Sequence, residues 1–267
     1  MIKRALILAV LTVACAHTAP RGLHIDDGGR GDAVPILFVH GNGGNVTQWS
    51  AQLEHVRRTR RAVAFDLRGM GLSAPPADGD YSIAAMVSDI EVVVDAMKLR
   101  RFVIVGHSYG GTVVTAYAAK HPERVAAVVL ADSAGQVRIA PEQANAFLAK
   151  MKEDKNKFVD AWWAPILKPS SERVRAAVLD SAHKTSYEAL SGALRDLPNA
   201  DMKTLVAAYH GPRLAIGASD IESPSSFHVQ FPKVPAKKIA GAGHWLMMDK
   251  PDEFNAILDE FLATLPR

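Results

Sequence analysis

From residue 34 onward the chain alternates between two hydrophobic periods. Continuous apolar runs at 34–39, 61–65, 102–105, 126–130 and 213–216 predict short strands covered on both faces, with 236–239 as an edge strand. Between them, Ile83, Met86, Val87, Ile90, Val94 and Met97 recur at helical spacing, as do Phe254, Ile257, Leu258, Phe261 and Leu262. The second of these helices opens on Pro251 with acidic Asp252 and Glu253, which suits the unpaired N–H groups of a first turn. Alternation of strand and helix predicts a mostly parallel central sheet with helices on both faces. Residues 133–211 break the pattern: they hold helical periods punctuated by Pro141, Pro165, Pro169 and Pro198, and no strand. They predict a helical lid inserted between two core strands, dividing a core of 22–132 and 212–267. Trp162 and Trp163 fall in the lid, and at least one belongs to its own core; Trp163, with Trp245, is the candidate to line a substrate pocket.

The amino terminus has a different character. Residues 1–16 carry Lys3 and Arg4, then an apolar stretch from Ala5 to Ala14, then Ala14-Cys15-Ala16. This is the order of an export signal, and the run is too short to remain as a membrane span. Leu11-Thr12-Val13-Ala14-Cys15 resembles a lipoprotein signal, although Thr12 stands where that signal places a large aliphatic residue. Two readings stay open, a lipidated Cys15 tethering the protein to a membrane and a soluble protein cut after Ala16. Both predict an exported protein of the bacterial envelope or exterior.

Composition mainly excludes. With 48% apolar residues among 267, the chain is neither disordered nor fibrous. The 31 basic and 28 acidic residues nearly cancel, so no nucleic acid or other polyanion is implied as partner. One cysteine permits no internal disulfide framework and no thiolate zinc site, and no metal-ligand motif is present. The basic run 57–61 lacks interleaved aromatics and reads as solvated surface, and Arg30-Gly31-Asp32 lies in an Asp/Gly-rich turn rather than an adhesion motif.

The chemistry concentrates at residues 102–120. Gly106-His107-Ser108-Tyr109-Gly110 follows a buried strand and precedes a helical pattern, the context of a nucleophile elbow. A strand turning abruptly into a helix crowds the backbone at 106 and 110 and pushes the Ser108 hydroxyl out at a helix N-terminus. Such a serine needs an imidazole base and a carboxylate to orient it. His244, in the Gly-rich loop 241–244 after a strand, is the best-placed base; His107 adjoins the serine but points to the other side of its strand, His40 reads as structural with its ring bonded to backbone, and His210 and His228 lack a comparable strand end. Asp220, after the strand ending at Ile216, and Asp132, after the 126–130 strand, both stand as candidates for the acid, with Glu222 as outside candidate.

These motifs, in this order, make the chain resemble the α/β-hydrolase superfamily over roughly residues 33–265. His40-Gly41-Asn42-Gly43-Gly44 resembles its oxyanion loop, 66–73 its Asp-x-Arg-Gly-x-Gly-x-Ser turn, 217–220 its acid turn and 241–244 its histidine loop, with Met70 standing where the family usually has histidine. The resemblance implies Ser108, Asp220 and His244 as catalytic triad and the backbone N–H groups of Asn42 and Tyr109 as oxyanion hole. It also implies a small acyl or ester substrate and no cofactor. Lactonase, carbon–carbon bond hydrolase and cofactor-free perhydrolase share this constellation and stay open, as does a ligand-binding protein without catalysis.

Overall fold

The computed structural model describes residues 15–266. Most of the leader read at 1–16 therefore lies outside the described residues; only Cys15 and Ala16 fall within them. Eight strands form one sheet: β1 (Cys15–Ala19), β2 (Leu23–Gly28), β3 (Ile36–Val39), β4 (Ala62–Phe65), β5 (Phe102–His107), β6 (Val125–Ala131), β7 (Arg213–Ala218) and β8 (Ala236–Ile239). Their spatial order is β1-β2-β4-β3-β5-β6-β7-β8. The hairpin β1–β2 joins antiparallel to β4, and every pairing from β4 to β8 is parallel. All six expected strands are present. The hairpin was not foreseen, because Asp26 and Asp27 read as turn residues; in β2 they pair instead with Arg57 (2.8 Å) and Arg61 (2.6 Å). That also makes two of the basic residues at 57–61 internal partners of the sheet rather than free surface charge.

Strand residues alternate between two apolar layers, as the period of a strand requires. Leu37, Val39, Val63, Phe65, Ile104, Val128 and Leu130 face one core, shared with α2 (Ile83–Ala96) and α3 (Tyr109–Lys120). Ile36, Phe38, Ala62, Ala64, Val103, Val105 and Val129 face the other, under α1 (Ser50–Val56) and the carboxyl-terminal helix. Helix α2 begins where the Ser82 side chain accepts from the Ala85 N–H (3.2 Å), and it ends at Ala96, capped by Met97, just before Lys98, whose positive φ of 55° breaks the helical path.

Between β6 and β7 the chain is helical: α4 (Pro141–Glu153), α5 (Lys155–Leu167), α6 (Glu172–Lys184), α7 (Tyr187–Asp196) and α8 (Met202–Ala208). Met202 and Val206 of α8 join the same apolar layer as α3, so the end of the 133–211 stretch belongs to the sheet's own helical cover. After β7 come two single-turn helices, α9 (Phe227–Gln230) and α10 (Leu246–Asp249), and then α11 (Pro251–Ala263). Strand β8 lies at the sheet edge, where exposed Lys237 and Lys238 oppose edge-to-edge pairing.

Candidate active site

Ser108 sits between β5 and α3 with φ 52° and ψ −122°, a conformation that L-residues rarely adopt. The crowding expected at the flanking glycines is present. A Cβ on Gly106 would lie 2.6 Å from the Gly110 carbonyl oxygen, and one on Gly110 would lie 2.4 Å from that of His40. The elbow is held by the Ser108 N–H donating to Ala131 O (3.0 Å) at the end of β6. Ser108 and His244 line the same cavity, together with Asn42, Tyr109, Thr112 and the predicted tryptophans Trp163 and Trp245.

The acid differs from the expectation. His244 Nδ1 is 2.6 Å from Asp132 Oδ2, while the other Asp132 oxygen accepts from the Ala218 N–H at 3.0 Å. Asp132 follows β6 directly, at φ 42°, and its own N–H donates to Ile216 O at 2.7 Å. Asp220 is exposed on the turn after β7, where it accepts from the Ser219 hydroxyl (3.1 Å) and from the Gly241 N–H (3.2 Å). It thus braces the base of the loop that carries His244 without reaching the ring. Glu222 is likewise engaged elsewhere, with His228 (2.7 Å) and Lys238. With Asp132 accepting, His244 carries its proton on Nδ1 and leaves Nε2 as the free base.

The other histidines are structural. His40 Nε2 accepts from the Leu67 N–H (2.9 Å), so its Nδ1 donates to Gly41 O (2.7 Å) and fixes the start of the loop after β3. His107 is fully buried and its Nε2 donates to the His244 carbonyl oxygen (2.9 Å), with the two rings 4.7 Å apart. Burial pushes the pKa of His107 well below the usual histidine range, and that of His40 below it as well. Both rings gain protons more readily in the unfolded chain, so stability falls as pH drops below about 6.5, each ring contributing up to about 1.4 kcal/mol per pH unit. Urea unfolding at a series of pH values should show this, with a shallower decline in His107→Gln; equal slopes would place the pH sensitivity elsewhere.

The loop at 40–46 is fastened from several sides. The Gly43 N–H donates to Met70 Sδ (3.4 Å), and the Val46 N–H donates to Asp66 Oδ1 (2.6 Å). Met70 therefore does at this loop what a hydrogen-bonding side chain would do, through a buried thioether. From the helical insertion, Ser181 Oγ donates to Gly43 O (2.8 Å), and Asn42 Nδ2 donates to Leu190 O (3.0 Å). The insertion also holds the histidine loop, since the His244 N–H donates to Ile166 O (3.0 Å) and Ser170 Oγ donates to Asp249 (2.7 Å). Among the described residues neither the Asn42 nor the Tyr109 backbone N–H has an intramolecular acceptor, so both are free to donate to a bound group. The sequence did not single out Ser181 or Thr112. A Ser in a helix and a Thr after a Gly-Gly pair carry no distinguishing local signal.

The arrangement matches known proteins. Residues 34–217 match a family model described as the alpha/beta hydrolase fold. The chain is 26% identical over 270 residues to 2-hydroxymuconate semialdehyde hydrolase of Pseudomonas sp. (strain CF600), covering 90% of each. It is 36% identical over 121 residues to the abhydrolase domain-containing protein abhd-5.2 of Caenorhabditis elegans, spanning 44% of this chain and only 27% of that protein. Among solved structures, a thermophilic esterase from Thermogutta terrifontis superposes with a TM-score of 0.80 at 24% identity, covering 95% of this chain and 98% of that one. On the family match, which spans most of the sheet and the serine elbow, the chain belongs to the α/β-hydrolase fold family.

Proposed function

We propose that the protein is a serine hydrolase that cleaves a carboxylic ester or similar acyl compound through an acyl-enzyme intermediate. The observation that carries this reading is that a strained Ser108 and a His244 whose Nδ1 is bonded to Asp132 line the same cavity. His244 Nε2 takes the hydroxyl proton as Ser108 Oγ bonds to the carbonyl carbon. The carbonyl oxygen becomes an oxyanion facing the N–H groups of Tyr109 and Asn42. Collapse of the tetrahedral adduct breaks the bond to the leaving alkoxide, which receives the proton from His244. A water then gives its proton to His244 and attacks the acyl carbon; the proton returns to Ser108 as the acid departs. Asp132 stays ionised throughout and stabilises the imidazolium.

A second reading takes its support from the relative named 2-hydroxymuconate semialdehyde hydrolase: the same groups would cleave a carbon–carbon bond beside a carbonyl. Both readings require a reactive Ser108. A fluorophosphonate probe should label the wild-type protein and fail to label Ser108→Ala. A folded wild-type protein that resists the probe would instead favour a ligand-binding role.

A further inference from the structure

One carboxylate ties the loop of His244 to the helical insertion. The single-turn α10 reverses the chain just after His244 and brings Asp249 back to the start of the same loop. There Asp249 Oδ2 accepts from the Gly243 N–H (3.0 Å) and from the Ser170 hydroxyl (2.7 Å), while Oδ1 accepts from the Ser171 N–H (3.3 Å). Ser170 and Ser171 make the corner between α5 and α6, and Ser170 is buried. From the last turn of α5, Ile166 O accepts from the His244 N–H (3.0 Å). The loop lies close against this corner, since a Cβ on Gly243 would stand 2.7 Å from Ile166 O.

Two consecutive N–H groups, of Gly243 and His244, are thus fixed to one corner, the first through Asp249 and the second directly. Together they set the direction in which the His244 side chain leaves the backbone. Asp132 holds the imidazole at Nδ1 alone (2.6 Å), and a ring hinged on that bond could swing Nε2 away from Ser108 without breaking it. Among the described residues the partners of the Asp249 carboxylate are three neutral donors, and His244's ring is not one of them. Bonds of this kind, from neutral donors to an ionised acceptor, are about twice as strong as those between neutral groups.

Resting on the ester-hydrolase reading above, we propose that Asp249 is a positioning residue for His244, holding the base in place through its bonds to Gly243 and to the α5–α6 corner. Its loss lowers turnover rather than substrate affinity, because Asp249 is not among the residues that line the cavity.

The test uses the full-length protein, p-nitrophenyl butyrate and a fluorophosphonate titration that counts reactive Ser108, so that kcat is expressed per labelled site. Asp249→Ala should lower kcat per site by about tenfold to a hundredfold, the scale set by displacing a reacting group by about 1 Å, with KM within about threefold of wild type. Asp249→Asn should recover most of that loss: its carbonyl oxygen in the place of Oδ2 still accepts from Gly243 and Ser170, and only the longer bond to Ser171 is given up. Ser170→Ala removes a single hydroxyl, so it should fold, and it should lower kcat per site by a smaller factor of at least about threefold. The double variant Ser170→Ala, Asp249→Ala should be no slower than Asp249→Ala, because both act through one bridge. Normal turnover per site in Asp249→Ala or in Ser170→Ala, even with fewer sites labelled, would reduce the bridge to a prop of the fold and overturn the inference. So would a loss carried by KM, losses that multiply in the double variant, or an Asn variant as slow as the Ala one, which would assign the effect to charge. A wild-type protein that neither hydrolyses the ester nor takes the label would instead remove the reading on which the inference rests.

Discussion

Asp132→Asn should lower kcat by about four powers of ten, and Asp220→Asn by less than tenfold. The size follows from what the carboxylate does for the ring. An asparagine amide at 132 can present its NH2 to His244 Nδ1, which would move the ring proton to Nε2, where it blocks acceptance from the serine; in serine hydrolases of this design that change costs about 10⁴ in turnover. The geometry is already tight, with Asp132 Oδ2 at 2.6 Å from the ring and Oδ1 pinned by the Ala218 N–H, so asparagine fits with little displacement. Among the described residues the Asp220 carboxylate hydrogen-bonds Ser219 and the Gly241 N–H and not His244, so its loss slackens the loop base without altering the tautomer. Steady-state kinetics of the two variants on a p-nitrophenyl ester decide the matter. Comparable losses in both, or a larger loss in Asp220→Asn, would mean that the acid role lies after β7.

The second large effect concerns stability. Arg68 meets Asp89 bidentately, with Nε to Oδ2 at 2.5 Å and Nη2 to Oδ1 at 2.6 Å, and both side chains are buried. The same guanidinium donates to the carbonyl oxygens of Asp80 (2.9 Å) and Ala85 (2.8 Å). Burial disfavours its charge, but the bonds to Asp89 outweigh that and hold its pKa above the ordinary value. Removing one partner of a buried pair strands the other, at a cost of about 3–5 kcal/mol. Asp89→Ala should therefore lower Tm by roughly 6–20 °C, at about 2–4 °C per kcal/mol for a chain of this size. An Arg68→Met, Asp89→Leu double variant should recover much of the loss, because no charge is then left buried. A Tm within about 2 °C of wild type for Asp89→Ala would show that water reaches Arg68 and that the pair contributes little. In that case the turn at 66–73 would owe its shape to Asp66, which accepts from the Val46 and Leu72 N–H groups at 2.6 and 2.8 Å.

The sequence by itself determined the strands, the elbow and the serine–histidine pair proposed to react. Five strands were legible because they are buried on both faces and therefore continuously apolar, β8 because it follows them as an edge, and Ser108 because the glycines on either side answer a local steric demand. His244 was legible because a Gly-rich loop directly after a strand delivers its side chain to the sheet's carboxyl edge, where Ser108 needs a base. The hairpin β1–β2 was not: Asp26 and Asp27 look like turn residues until Arg57 and Arg61, some thirty positions away, neutralise them. Nor could the choice between Asp132 and Asp220 be read locally. Both follow parallel neighbouring strands at the same sheet edge, and local pattern describes them alike. What separates them is the path of the loop from β8, fixed by His107 and Ile166 gripping the backbone of His244 from two sides. That path aims the ring at one carboxylate, and only packing between residues more than a hundred positions apart could decide which.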